Sequence, residues 1–129
     1  MMHQTEILAF PSIRELGAGV VVEAMASSMA CCVVDYGGPA TLIDSERGVK
    51  ISLGTFEELV ERFESQLETL VTNPERVTQL GQAAHEHAIT YYTWEAKAKK
   101  TLEIYQWLRA AQKPNFWTTP STEWKPSIC

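Results

Sequence analysis

Seven residues separate Glu15 from Glu23, and the first of them are Leu16-Gly17-Ala18-Gly19-Val20. Glycine tolerates positive φ and lets a backbone approach a ligand closely. Where a helix starts at such a bend, its first amides, here near Ala18, Gly19 and Val20, have no intrahelical partner. With the helix dipole they make a site for an anion or a hydroxyl oxygen. Two carboxylates beside those amides suit a polyhydroxy ligand. Their oxygens accept from sugar or ribose hydroxyls, and charge-assisted hydrogen bonds are the stronger kind. The same spacing also fits a plainer arrangement, with Glu23 a favourable charge in a first helical turn and Glu15 a solvated loop residue.

The elements that must hold these groups are legible around them. Glu6 to Phe10 is a short apolar run closed by Pro11 and Ser12, which predicts a buried strand. Val20 to Met29 has no breaker and carries good helix formers. Cys31 to Val34 predicts a second strand, ended by Asp35 and a Tyr36-Gly37-Gly38-Pro39 turn. Val49 to Leu53, between Gly48 and Gly54, predicts a third. Strands alternating with a helix imply a parallel sheet, and near-continuous apolar runs imply helices on both faces. Glu15 and Glu23 then face the crevice outside the carboxyl end of a strand, where open α/β sheets bind ligands.

The second half predicts helices. Thr55 with Glu58 makes a capping box, followed by an apolar stripe through Phe56, Leu59, Val60, Phe63, Leu67, Leu70 and Val71. Asn73 and Pro74 start another helix, carried to about Thr90 by Val77, Leu80, Ala84 and Ala88. Thr93 caps a third from Trp94 to about Gln112, stopped before Pro114. Trp94 and Tyr105 read as helix-packing residues. The expected fold is thus α/β: a partial Rossmann-like parallel sheet of about three short strands, then a helical C-terminal half. The domain occupies residues 1–113 and an extended tail, with Phe116, Trp117 and Trp124, occupies 114–129.

Composition excludes several classes. Of 129 residues, 45% are hydrophobic and 21% charged, which argues for a globular domain over a disordered one. Sixteen acidic residues against eleven Lys and Arg leave a net charge of -5, with no basic stripe for a nucleic acid. No apolar run approaches the ~18 residues a membrane helix needs, and nothing reads as a signal peptide. Three cysteines, Cys31, Cys32 and Cys129, are no disulfide framework and point to a cytoplasmic setting. Cys31 and Cys32 read as small apolar strand residues. His85 and His87, two apart on a helix, make a poor chelate, and no metal is expected. Asp35 is placed either for a ligand or for turn capping.

The order of residues adds a resemblance. Pro11-Ser12, Glu15, Glu23-Ala24-Met25-Ala26, the run Cys31 to Val34, and Gly37-Gly38 follow one another as in the glycosyltransferase group 1 family, the retaining nucleotide-sugar transferases of family 4 with the two-domain GT-B fold. The stretch from Leu67 to Arg76 and Thr93-Trp94-Glu95 also look like that family's C-terminal end. Departures are the loop Leu16-Gly17-Ala18-Gly19, where many relatives have an aromatic before a single Gly, Ser28 where Gly is usual, Ala30 where Pro is usual, and Thr41 where an acidic residue is frequent.

The resemblance implies transfer of a sugar from a nucleotide-diphosphate donor to an acceptor hydroxyl, with retention and with no cofactor or obligatory metal. It implies that Glu15 is the catalytic, sugar-contacting carboxylate, that Glu23 clamps the ribose, and that Gly17, Ala18, Gly19 and Val20 cradle the donor with their amides. The family's acceptor domain and the first half of its donor domain, with the basic groups that neutralise the diphosphate, have no counterpart here; Arg14 is a weak substitute. The chain is therefore expected to be inactive alone, and to pair as a homo-oligomer or with a missing N-terminal portion across its strand edges. The rival expectation is a non-catalytic α/β module that binds a nucleotide or oligomerises. A receiver-like phospho-acceptor domain is disfavoured because no acidic cluster with a matching Lys accompanies Asp35.

Overall fold

The computed structural model of the chain describes residues 5–110. Three strands, β1 (Ile7–Phe10), β2 (Ala30–Val34) and β3 (Gly48–Ile51), form a parallel sheet in the order β1-β2-β3. Ile7 is in register with Ala30, and Cys31 with Gly48. Helices α1 (Gly19–Ala26) and α2 (Gly37–Leu42) fill the two crossovers, and α3 (Phe56–Val71), α4 (Pro74–Tyr91) and α5 (Trp94–Ala110) follow. The tail residues Phe116, Trp117, Trp124 and Cys129, and His3 at the other end, lie outside the described residues.

Every residue of β2 is buried, as a strand covered on both faces must be. Cys31 and Val33 point into a core shared with Val21, Met25, Leu42, Ala84 and Ala88 from α1, α2 and α4. Cys32 and Val34 point the other way, onto Ile51 and Phe63 of α3. Helix α4 serves both layers: Val77 and Leu80 pack with Ala30 and Leu70, and Ala84 and Ala88 with α1. Its crossing point is Gly81, whose missing Cβ lets the α4 backbone meet the Ser28 carbonyl.

The C-terminal helices start where their capping chemistry dictates. Thr55 Oγ1 accepts from the Glu58 amide at 3.3 Å and Glu58 Oε2 accepts from the Thr55 amide at 2.8 Å, a closed capping box. Asn73 Oδ1 accepts from the Arg76 amide at 3.2 Å ahead of Pro74, and Thr93 Oγ1 from the Ala96 amide at 3.2 Å. The apolar stripe expected on α3 is only half used. Phe63 and Leu70 are buried, while Phe56, Val60 and Val71 are exposed, because sheet and α4 cover one side of the helix only. Helix α5 packs mainly on α4, and Trp94 and Tyr105 are exposed instead of packed.

Two local expectations are corrected. The first helix is shorter than Val20 to Met29: it ends at Ala26 in a Schellman motif, the Met29 amide donating to Ala24 O and the Ser28 amide to Met25 O, both at 3.0 Å. Ser28 holds the left-handed position of that motif with φ 60°. The Tyr36-Gly37-Gly38-Pro39 segment is not a free turn. It opens α2, with Pro39 buried in the first turn, where a missing N–H costs nothing.

Candidate functional site

The C-terminal ends of β1 and β2 carry the residues singled out by their chemistry. Beyond Phe10 the chain runs through an exposed loop, Pro11 to Gly17, and enters α1 through Ala18. Ala18 is buried and left-handed, φ 40° and ψ 47°, an uncommon conformation for alanine that costs of order 1 kcal/mol. The conformational demand expected at Gly17 and Gly19 thus falls on the residue between them. What those two glycines contribute is room: a Cβ on either would meet nothing within 4 Å.

Unlike α3, α4 and α5, helix α1 has no side-chain cap. Its first turn closes with the amides of Val21 and Val22 donating to Ala18 O, at 2.9 and 3.4 Å. The preceding amides of Gly19 and Val20 have no acceptor in the helix, as at any helix start. Glu15 lies three residues before the entry and Glu23 one turn beyond Gly19, on the face of α1 that stays exposed while Val21, Ala24 and Met25 are buried. Both glutamates are exposed, and neither carboxylate has a hydrogen-bond or ion-pair partner among the described residues. The Glu15 carbonyl accepts from the Gly38 amide at 3.4 Å, which joins the loop to the start of α2.

Neighbouring candidates are spent on structure. Asp35 Oδ1 pairs with Lys50 Nζ at 3.3 Å, tying the end of β2 to β3. Thr41 Oγ1 donates to Gly38 O at 2.7 Å, inside α2. His85 and His87 point to different neighbours, as residues two apart on a helix must. His85 Nδ1 lies 2.8 Å from Ala26 O; the buried His87 Nδ1 lies 2.6 Å from Arg47 Nη1. Arginine only donates, so His87 accepts there through Nδ1. Burial pushes the Cys31 thiol up to about 12, helped by Cys32 beside it, and the Cys32 thiol up to about 11. Both are core groups held as thiols. A groove of ≈ 390 Å³ between β3 and α3, lined by Lys50, Ser52, Arg62 and Gln66 among others, contains none of the loop or α1 residues, and Arg62 in it is already bound to Ser52 O and Leu53 O.

The family model described as "Glycosyl transferases group 1" matches residues 1–87. The chain belongs to that family. It is 31% identical over 109 residues to the alpha-maltose-1-phosphate synthase of Mycolicibacterium smegmatis, covering 82% of this chain and 28% of that protein. It is 31% identical over 118 residues to the D-inositol 3-phosphate glycosyltransferase of Rhodococcus erythropolis, covering 91% of this chain and 25% of that one. Among solved structures it is similar to the sucrose-phosphate synthase of Thermosynechococcus elongatus, with a TM-score of 0.65 and 25% identity over 84% of this chain and 26% of the other. The three-stranded parallel sheet with its helices is thus part of a GT-B glycosyltransferase fold, and the chain spans about a quarter of the length of these relatives.

The sequence did not connect Gly37 and Gly38 with the Glu15 loop; the structure brings both against its backbone from the start of α2. The signal available was a Gly-Gly pair before a proline, which marks a special backbone but not the segment it meets.

Proposed function

We propose that the chain forms the donor-binding part of a retaining glycosyltransferase, which moves a sugar from a nucleotide diphosphate to an acceptor hydroxyl. Glu15 contacts the donor sugar and is the catalytic carboxylate. Glu23 accepts from the ribose hydroxyls, and the segment Gly17 to Val20 presents its amides to the donor between them. One observation carries the reading: helix α1, which like α2 has no side-chain cap, is entered between two unpartnered carboxylates, across open space at Gly17 and Gly19. The caps that the sequence predicts at Thr55 and Asn73 are filled by the chain's own side chains.

The chain is inactive alone in this proposal. Electrostatic stabilisation of the leaving diphosphate supplies much of the rate in such transfers, and the loop and α1 together carry one cation, Arg14. Activity then needs a further surface, from a second copy or from the remainder of a longer protein. The free side of β1, which pairs with β2 alone among the described strands, supports a homo-oligomer. A cytoplasmic setting fits the two free, buried thiols, and among the described residues no helix is long and apolar enough to cross a membrane.

The test is calorimetric titration of the chain with UDP-, GDP- and ADP-sugars, repeated on Glu23→Ala. Glu23 is exposed, so the variant keeps its fold, as circular dichroism will verify. Millimolar binding that disappears in the variant is the expected result. No binding of any donor by the wild-type chain favours the rival, a non-catalytic oligomerising module.

A further inference from the structure

The Glu15 loop is held by its backbone. Leu16 is 99% exposed, and Ile13, Arg14 and Glu15 are exposed with it, so no buried side chain between Pro11 and Gly17 anchors the segment. What it meets instead is the start of α2. A Cβ on Gly38 would lie 2.4 Å from the Leu16 carbonyl oxygen, 2.9 Å from the Leu16 carbonyl carbon and 3.4 Å from the Glu15 oxygen. A Cβ on Gly37 would lie 3.3 Å from that same Glu15 oxygen, and Gly37 has φ +62°. All of these are main-chain atoms, which cannot rotate out of the way.

The two sides of this contact are unequally fixed. Helix α2 is anchored by buried Pro39, Leu42 and Ile43, by Thr41 Oγ1 donating to Gly38 O, and by Lys50 Nζ donating to Ala40 O at 3.4 Å while it pairs with Asp35. The loop has the left-handed Ala18 at one end, the strand end Phe10 at the other, and a long Ser12 Oγ to Arg14 amide contact of 3.5 Å between. A side chain at position 38 therefore moves the loop before it moves the helix.

We infer that Gly37 and Gly38 are positioning residues for Glu15. They form a bare backbone floor on which the Glu15–Leu16 peptide lies, and so set where the Glu15 carboxylate begins its reach. The inference deepens the donor-site reading and rests on it for Glu15 being the sugar-contacting group. The floor has no contact of its own with the donor. It acts through the loop, and its loss affects the sugar end of the ligand and spares the nucleotide end held by Glu23.

The experiment compares the wild-type chain with Gly38→Ala, Glu15→Ala and the double variant. It uses backbone amide NMR shifts and paired titrations with UDP-glucose and UDP, or the ADP or GDP pair if that base binds more tightly. In Gly38→Ala the amide signals of Glu15 and Leu16 move while those of Gly19, Val20, Val33 and Leu80 stay. Affinity for the nucleotide sugar falls roughly tenfold, as expected when one hydrogen bond to a charged group is lost. Affinity for the free nucleotide is unchanged. Glu15→Ala loses the same increment, and the double variant loses no more, as coupled residues require. If Gly38→Ala does not fold, Gly37→Ala probes the same floor through a 3.3 Å contact, with the added backbone strain of its left-handed φ. Unmoved loop amides, equal weakening of sugar nucleotide and free nucleotide, or additive losses overturn the inference. If the wild-type chain binds no nucleotide sugar, or Glu15→Ala changes nothing, the donor-site reading fails instead. The floor is then judged on the loop amides alone, whose movement sustains it and whose stillness refutes it.

Discussion

Replacing Gly81 with alanine sets helix propensity against packing. In a helix interior alanine is favoured over glycine by about 1 kcal/mol, and on an exposed face that gain would be realised. Gly81 is buried in α4, and a Cβ built there falls 2.1 Å from the Ser28 carbonyl oxygen and 2.9 Å from its carbonyl carbon. Both atoms belong to the backbone that joins α1 to β2. An ordinary contact of 3.4 Å or more, against 2.1 Å, requires α4 to retreat by about 1.3 Å. The retreat is opposed by Leu80 and Ala84, both fully buried, and by the 2.8 Å contact of His85 Nδ1 with Ala26 O. Overpacking a close-packed core costs about 1–3 kcal/mol, and a main-chain obstacle belongs at the upper end of that range. After the propensity gain, Gly81→Ala should destabilise by about 2 kcal/mol. Urea unfolding followed by circular dichroism measures this: with a slope of about 2 kcal/mol/M, the midpoint falls by about 1 M. A midpoint equal to or above that of the wild type refutes the packing argument.

Two further outcomes follow from local strain and from burial. Ser28→Gly should stabilise by roughly 0.5–1 kcal/mol, because φ 60° strains serine and not glycine, offset in part by the freer unfolded chain; a lower thermal midpoint than wild type counts against it. Stability should be insensitive to the two core thiols below pH 9.0, their ordinary value, and decline from there toward about 11 for Cys32 and about 12 for Cys31. The raised folded-state values mean that the unfolded chain loses its protons first, so stability present below pH 9.0 is lost as pH rises. The slope is at most about 1.4 kcal/mol per pH unit for each thiol. The double variant Cys31→Ala/Cys32→Ala should show a flatter alkaline limb than wild type, and parallel limbs would exclude this origin.

The match between sequence and structure is uneven for physical reasons. The capping signals at Thr55, Asn73 and Thr93 all mark real helix starts, because a cap is chemistry between residues three apart. Apolar runs locate the strands to within a residue or two, because strand interiors favour apolar side chains: strictly in central β2, which is buried throughout, and less so in β3, which carries exposed Lys50. Expectation and structure part where a segment's state depends on something remote. The end of α1 at Ala26 is fixed by a Schellman closure under α4, with Ser28 where glycine would have marked it. The Gly37-Gly38 segment opens a helix because Pro39 and Leu42 find a core to enter. Phe56, Val60 and Val71 of the α3 stripe, and Trp94, stay exposed, because periodicity names an apolar face without saying whether anything covers it.

Local chemistry along the chain determined which residues are candidates: two carboxylates, a bend with small residues, a helix start, and an order of motifs that places the protein in its family. Tertiary structure decided what each is free to do. It left Glu15 and Glu23 without partners while engaging Asp35 and both helix histidines elsewhere. It moved the backbone strain from the glycines onto Ala18, and it laid the Glu15 loop on Gly37 and Gly38. Spacing is a property of neighbours in sequence, whereas availability depends on what distant segments bring to the same place, and that emerges only when the sheet and its helices close.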